Sequence, residues 1–519
     1  MFALQQKLSV WATRVLGRCR ALMQIPGREP ADFPFVASDV AQLHRLCSDP
    51  AGAAIDDATW KDLLLDVYCA QLSQEVSIFG QHALYQRLRA GHGAQHRASI
   101  EALLREPGAL EQLHQRCKPL RHADQEIATL LHEAVAPPVP WWSGKTWPLM
   151  VLLIASVAAA TLSPAAWLVT GLVLYLLMST QMRYQDTMEQ WQRAMRSLQM
   201  LLRVESLLDG PHAAQASKIN RALTRAPVEM LIPGLGVYRD WFMLANVNHY
   251  FKGVGLVRDN LALLRACFAR LANLEADIAL ARHLLCTPTF CWAVQGDARA
   301  IALRDTVHPL LAQAQPLCLE LEGKGAFISG QNGIGKSTLL RTVGINLVAA
   351  RAFGFCYATS ATVPDLPVYA SMQSEDAMLG GESLYMAELR RAQELLAASE
   401  GPHAGVCIID EIFRGTNHLE SVSAAASVLD VLAAKGLVIV SSHNLVLGSL
   451  LAHRLEPLCV ARAGDGALTL SDGVLAHTNG IALLAQRGFG PQVEAGAGKV
   501  FDWLSSYLAH PADCSAVLA

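Results

Sequence analysis

One short stretch constrains this chain more than any other: Gly325 to Ser337, GAFISGQNGIGKS. The apolar run Ala326-Phe327-Ile328 predicts a buried β-strand. It breaks at Gly330 and turns through Gln331, Asn332, Gly333 and Ile334 into Gly335-Lys336-Ser337. This is G-x-x-x-x-G-K-[ST] in the strand–loop–helix context that the motif needs. Glycines let backbone N–H groups wrap a phosphate chain, and a helix opening near Thr338 turns its positive end toward it. In this reading Gly330, Asn332, Gly333, Gly335, Lys336, Ser337 and Thr338 hold ATP. Lys336 pairs with the β/γ-phosphates and Ser337 also binds Mg²⁺. The plain alternative, a chance glycine-rich turn, is opposed by an acidic motif downstream.

That motif is Val406-Cys407-Ile408-Ile409-Asp410-Glu411, a buried strand ending in two acids. Asp410 can bind Mg²⁺ through its water shell, and Glu411 can orient the attacking water as general base. A strand-end acid serving only as a helix N-cap is the bland alternative. A second apolar strand, Leu437 to Val440, runs into Ser441-Ser442-His443-Asn444, which puts His443 where it can sense or polarise a γ-phosphate. Arg414-Gly415-Thr416 follows the acids and can fix the loop linking one nucleotide site to its neighbour. Between the motifs, Gly380-Gly381-Glu382-Ser383 opens a helix, where the Ser383 hydroxyl faces anions or simply caps.

From Ala300 onward strand-like runs alternate with helical segments, which predicts a doubly wound, mostly parallel sheet of P-loop NTPase type over residues 296–495. The rest reads as helix. Residues 1–30 form a basic amphipathic helix, with Lys7, Arg14, Arg18 and Arg20, that lies on an anionic membrane surface or packs on its own domain. Residues 31–140 and 184–295 read as a helical core and lever region. They contain one distinctive stretch, Asp56 to Leu63, then Ser77 to Gly80 and Leu84 to Arg89. Residues 496–519 read as a terminal helix and tail.

Composition matters at one place. The chain is 52% hydrophobic and 17% charged, with mean hydropathy +0.26 and net charge −3. The weak acidic balance gives no global basic footprint for nucleic acid, so any such contact rests on local patches. No charged side chain occurs between Lys145 and Arg183. One helix over that span would be about 55 Å long, too long for a roughly 30 Å hydrocarbon core. Two helices broken at Ser163-Pro164 predict a transmembrane hairpin over 141–183, its membrane part 146–182, with Trp141, Trp142 and Trp147 at the interface. A buried hairpin or re-entrant loop is the alternative. Two crossings with Lys145 and Arg183 at the flanks place the NTPase on the cytoplasmic side of the membrane. No cleavable signal peptide is visible, and the scattered cysteines indicate neither a zinc site nor a disulfide framework.

Taken together, the motifs resemble the ATPase of the MutS (DNA mismatch repair) family. They run in that family's order: His308-Pro309, Gly330 to Ser337, Gly381 to Glu388, Asp410 to Thr416, then His443. Asn479 to Ala482 and Gly488 to Pro491 resemble its closing segment. The resemblance implies a homodimer with composite sites, Ser383 of one subunit reaching nucleotide held by the other, and an ATP-driven clamp on DNA. It departs at Gly333-Ile334, which gives an N-G-x-G-K loop closer to ABC-type ATPases, and it does not extend to mismatch recognition, for want of a mismatch-reading segment. The closest fit is a membrane-associated branch of MutS-like proteins. The competing function is an ABC-like ATP-driven membrane switch that binds no DNA. A third, a structural factor that binds ATP without turnover, is opposed by the intact Glu411.

Overall fold

The computed structural model describes residues 32–47, 55–91, 95–133, 138–225, 235–372, 384–401, 405–462, 468–475 and 491–508. The expected N-terminal helix over 1–30, Ser383, the closing segment before Pro491 and the tail beyond 508 lie outside the described residues.

In chain order, the helices that matter below are Asp57–Asp62 (α1), Leu65–Leu72 (α2), Ile78–Ala90 (α3), Trp147–Ala160 (α4), Ala166–Leu207 (α5), Ala245–Asp259 (α6), Leu261–Leu285 (α7), Lys336–Phe353 (α8), Leu384–Ser399 (α9) and His418–Lys435 (α10). The principal strands are Gly325–Gly330 (β1), Val368–Ser371 (β2), Val406–Asp410 (β3), Leu437–Ser441 (β4), Leu455–Arg462 (β5) and Leu468–Asp472 (β6). Contacts divide the chain into two compact units. One comprises Met1–Leu46, Glu75–His82 and Glu111–Glu275; the other comprises Cys47–Gln74, Ala83–Leu110 and Ala276–Ala519. The helical stretch 31–140 is thus shared between them.

The first unit is helical among its described residues. Its α4 and α5 form the hairpin read from the sequence, broken around Ser163-Pro164, but no described helix is long and apolar enough to cross a membrane. The expected transmembrane hairpin is therefore corrected. α4 has 14 residues, about 21 Å at 1.5 Å per residue. The second helix does not end at Arg183 but continues to Leu207, through a run rich in arginine and glutamine. Leu153 of α4 and Val173, Leu177 and Met188 of α5 are buried in one cluster with Val247, Tyr250, Phe251 and Val254 of α6. Farther along α5, Met195, Leu198, Leu201 and Leu202 are buried.

The Ser77-Ile78-Phe79-Gly80 stretch also finds a purpose in this unit. The Glu275 carboxylate lies at the N-terminus of α3, accepting from the Ser77 N–H at 2.9 Å, the Gly80 N–H at 3.2 Å and the Ser77 hydroxyl. A Cβ on Gly80 would fall 2.5 Å from Val76 Cγ1 and 3.0 Å from Glu275 Cγ, so only glycine lets the acid approach.

The second unit holds a six-stranded sheet in the order β6-β5-β1-β4-β3-β2, all neighbours parallel except the antiparallel β5–β6 edge. β3 and β4 are buried at every position, as strands covered on both faces must be. Phe327, Ile409, Val438 and Val440 pack with Leu429 and Leu432 of α10 and Leu395 of α9. Strands Ala300–Thr306, Leu317–Glu322, Ser360–Val363 and Val294–Gln295 make a second sheet.

Residues far upstream complete this unit. β2 is an edge strand, and α1 covers hydrogen-bonding groups at that edge. The Thr59 hydroxyl accepts from the Ala370 N–H at 2.9 Å, and the Asp62 carboxylate accepts from the Met372 N–H at 2.8 Å. Arg391 of α9 fastens the arrangement, donating to the Ala370 carbonyl at 2.6 Å and to Asp56 at 3.2 Å. Covering an edge this way removes a template for unwanted strand pairing.

One prediction concerns pH. Burial pushes the Glu275 carboxyl up to about 7, against the hydrogen bonds from Ser77 and Gly80 and the charge of Arg121. The folded chain then holds a proton that the unfolded chain releases near 4.5, so this group's contribution to stability falls as pH rises from about 4.5 to about 7. Subtracting urea-melt stabilities of Glu275→Gln from those of wild type should give a difference curve that declines across that window. A flat difference curve would show that Glu275 does not titrate there.

Candidate nucleotide site

The local sequence dictates how the site is assembled. β1 delivers Gly330 to the edge of the sheet, and the following turn demands backbone angles open chiefly to glycine: φ is +75° at Gly333 and +109° at Gly335. The turn feeds directly into α8 at Lys336, so the first N–H groups of that helix face the loop it closes. Lys336 is buried, and its ammonium donates to the carbonyls of Gly330 at 3.0 Å and Gln331 at 3.3 Å. Burial lowers its pKa from the ordinary ammonium value, against the pull of Asp410 and Glu411.

β3 brings Asp410 alongside. Its carboxylate accepts a short hydrogen bond from the hydroxyl of Ser441, the residue paired with it across β4. Glu411 follows with φ +59°, left-handed and uncommon for a residue with a Cβ. Its N–H donates to the Ser441 carbonyl at 2.9 Å, which holds the turn. The Glu411 carboxylate meets His443 Nε2 at 2.8 Å and Arg414 Nε at 3.1 Å. Burial alone would raise its pKa, but the His443 hydrogen bond and the charges of His443, Arg414 and Lys336 outweigh it and hold the carboxyl below its usual range.

A cavity of about 350 Å³ opens over these groups, lined by Asn332, Gly333, Gly335, Lys336, Ser337, Thr338, Asp410, Glu411 and His443. Residues from three separate stretches of sequence thus converge on one space. Gly330 lies at the base of the loop rather than in the lining, and a Cβ there would fall 3.1 Å from the Val460 carbonyl. Ser383 lies outside the described residues. Ser441 was not singled out from the sequence, although a polar residue ending an all-apolar strand beside an acidic strand end was the available signal. His308, of the His-Pro pair, is buried outside the cavity lining. It accepts from the Leu310 N–H at 3.2 Å, and burial pushes its pKa down to about 4.

The donor set bears on the metal. Ser337 and Asp410 offer two oxygen donors to the cavity, and among the described residues no group of three or more His, Cys, Asp or Glu stands ready to hold an ion alone. That fits Mg²⁺, which binds through one or two protein oxygens together with substrate phosphates rather than in an all-protein cage.

Comparison with known proteins adds the following. A family model described as MutS domain V matches residues 326–462, from the second residue of β1 to the last of β5. Over 245 residues, 45% of this chain, the sequence is 29% identical to the DNA mismatch repair protein MutS of Thermus aquaticus, covering 28% of that protein. Over 251 residues, 46% of this chain, it is 27% identical to MutS of Thermus thermophilus, covering 29% of that protein. Over 175 residues, 32% of this chain, it is 31% identical to the DNA mismatch repair protein MSH3 of Coccidioides immitis, covering 15% of that protein. The chain therefore aligns with less than a third of the length of these relatives. Residues 326–462 are a MutS-family ATPase domain of the ABC type, on a chain distantly similar to MutS and MSH3.

Proposed function

We propose that this protein binds and hydrolyses ATP with Mg²⁺ as a homodimer, and that the cycle acts on DNA through its helical unit. The convergence of the phosphate loop, Asp410, Glu411 and His443 on one cavity carries this reading. Backbone N–H groups of the loop and the Lys336 ammonium hold the phosphates, and Ser337 and Asp410 hold Mg²⁺. The metal, when bound, neutralises phosphate charge. Glu411 takes a proton from water as the water oxygen bonds to the γ-phosphorus and the bond to the β–γ bridging oxygen breaks, releasing ADP. His443, in contact with Glu411, orients that carboxylate at the cavity wall.

The likeness to MutS proteins supports a dimer in which Ser383, directly ahead of α9 in sequence, reaches the nucleotide of the second copy. It also supports DNA as the partner, and Arg193, Arg196 and Arg203 on the exposed side of α5 suit its phosphates. Mismatch recognition is no part of the proposal.

A second reading, an ATP-driven switch at a lipid surface that touches no DNA, is favoured by one observation. Around the end of the α4–α5 hairpin Leu162, Trp167, Leu168, Leu172 and Tyr175 are each more than half exposed. Exposed apolar side chains grouped in this way suit a lipid or protein contact.

Site variants test the hydrolytic reading, and partner assays separate DNA from lipid. Lys336→Ala should lose ATP binding, whereas Glu411→Gln should keep it and lose hydrolysis by roughly 10²- to 10⁴-fold, the usual worth of a positioned base. A Glu411→Gln protein that turns over normally would overturn the base assignment. Duplex or branched DNA should stimulate wild-type hydrolysis, with the effect lost as salt rises. Indifference to DNA together with flotation on anionic vesicles would favour the second reading.

A further inference from the structure

The base does not stand alone at the end of its strand. Arg414 Nε lies 3.1 Å from Glu411 Oε2 and 3.5 Å from Glu388 Oε1, the second distance too long for a strong hydrogen bond. One guanidinium is thus shared by two carboxylates and leans toward Glu411. Glu388, on α9, grips the same loop from the other side. Its Oε2 accepts from the Arg414 N–H at 2.8 Å and the Gly415 N–H at 3.4 Å. The side chains of Glu388 and Glu411 are only 14% and 10% exposed, so water screens neither contact strongly.

The loop is also pressed onto the first turns of α9. A Cβ on Gly415 would fall 2.7 Å from Tyr385 Cβ and 2.8 Å from the Tyr385 nitrogen. The Tyr385 and Phe413 rings meet edge to face at 6.1 Å, and the Ser421 hydroxyl ties the Phe413 carbonyl to α10. Glu411 and Phe413, on either side of Ile412, both hold left-handed backbone, at φ +59° and +57°. Such conformations persist only where surroundings over-determine them. Here the surroundings are β4 on one side and α9 on the other.

We propose that Arg414 and Glu388 are positioning residues that tie the orientation of the Glu411 carboxylate to the seating of α9. This rests on the hydrolytic reading of the site. Neither side chain lines the cavity. Arg414 sets one oxygen of Glu411 while His443 sets the other, and Glu388 fixes where the Arg414 backbone starts. A displacement of α9 carries Glu388 with it, moves the loop and re-aims Glu411. Since α9 begins directly after Ser383 in sequence, whatever loads that end of the helix reaches the base through two side chains.

The test is steady-state ATP hydrolysis and equilibrium ATP binding by the full chain. Glu388→Gln, which preserves shape, and Arg414→Met should each lower kcat roughly ten- to hundredfold, the scale of a misplacement near 1 Å. KM and ATP affinity should stay within about twofold. The double variant should be no worse than Arg414→Met alone, because the two act as one device. Normal turnover by Glu388→Gln, or fully additive losses, overturns the proposal. Loss of ATP binding alongside kcat makes the pair a structural fastener and overturns it too. A wild-type protein with no hydrolysis at all instead sinks the reading of the site, so the two failures are distinguishable.

Discussion

The parallel register of β1, β4 and β3 is the constraint on which the rest depends. Ser441 sits opposite Ile328 on one side and Asp410 on the other. Parallel strands share a direction, so the phosphate loop, the acidic pair and His443 all emerge at the same edge of the sheet, where ligands of open α/β sheets gather. A slip of one residue between β3 and β4 would send the Asp410 side chain to the opposite face. Two hydrogen bonds lock the register where it matters: the Ser441 hydroxyl on the Asp410 carboxylate, and the Glu411 N–H on the Ser441 carbonyl. One serine aligns both acids.

Much of this site is legible in the sequence because its chemistry is local. The glycine spacing, the lysine and the two acids each belong to a short segment whose conformation is set by neighbours in the chain. β4 adds Ser441 to the apolar run read as a strand, β3 ends one residue before Glu411, and β1 extends its apolar run by one residue before and two after. What stays hidden depends on pairing across long separations. Ser441 matters only because of the strand beside it, and Glu388 only because α9 is seated against a loop 26 positions away in sequence. β2, four residues long, carries too little pattern to announce itself.

Two larger features follow the same logic. Asp56 to Leu63 reads as helical scaffold because nothing local in it mentions a sheet, yet Thr59 and Asp62 are spent on the N–H groups of Ala370 in β2 and of Met372 just beyond it. The ATPase unit is accordingly built from both ends of the chain. In the hairpin, hydropathy misleads by its length. The 37 uncharged residues between Lys145 and Arg183 do not correspond to one structural element. They are divided among a short helix, a turn at Pro164 and the first part of a 42-residue helix. One side of the pair is occupied by α6, and Thr170 donates to Ser156 at 2.9 Å inside it. Absence of charge thus reflects burial on one side and leaves an apolar surface on the other.

The electrostatics of the cavity explain why the base carries two side-chain partners, His443 and Arg414. A carboxylate about 4 Å from a phosphate oxygen meets a repulsion on the order of 4 kcal/mol at an effective dielectric near 20. Left alone, such a group would take up a proton when phosphate arrives and cease to be a base. His443 and Arg414 already offset that repulsion, since they hold Glu411 below its ordinary pKa against a burial that acts the other way. Lys336 stands in a different relation to its neighbours. Its ammonium donates to the carbonyls of Gly330 and Gln331 rather than being bound up with a carboxylate, so phosphate displaces only neutral acceptors to reach it. The site therefore divides the work, with Lys336 bonded to neutral carbonyls and left for the polyanion while Arg414 and His443 engage the carboxylate beside it.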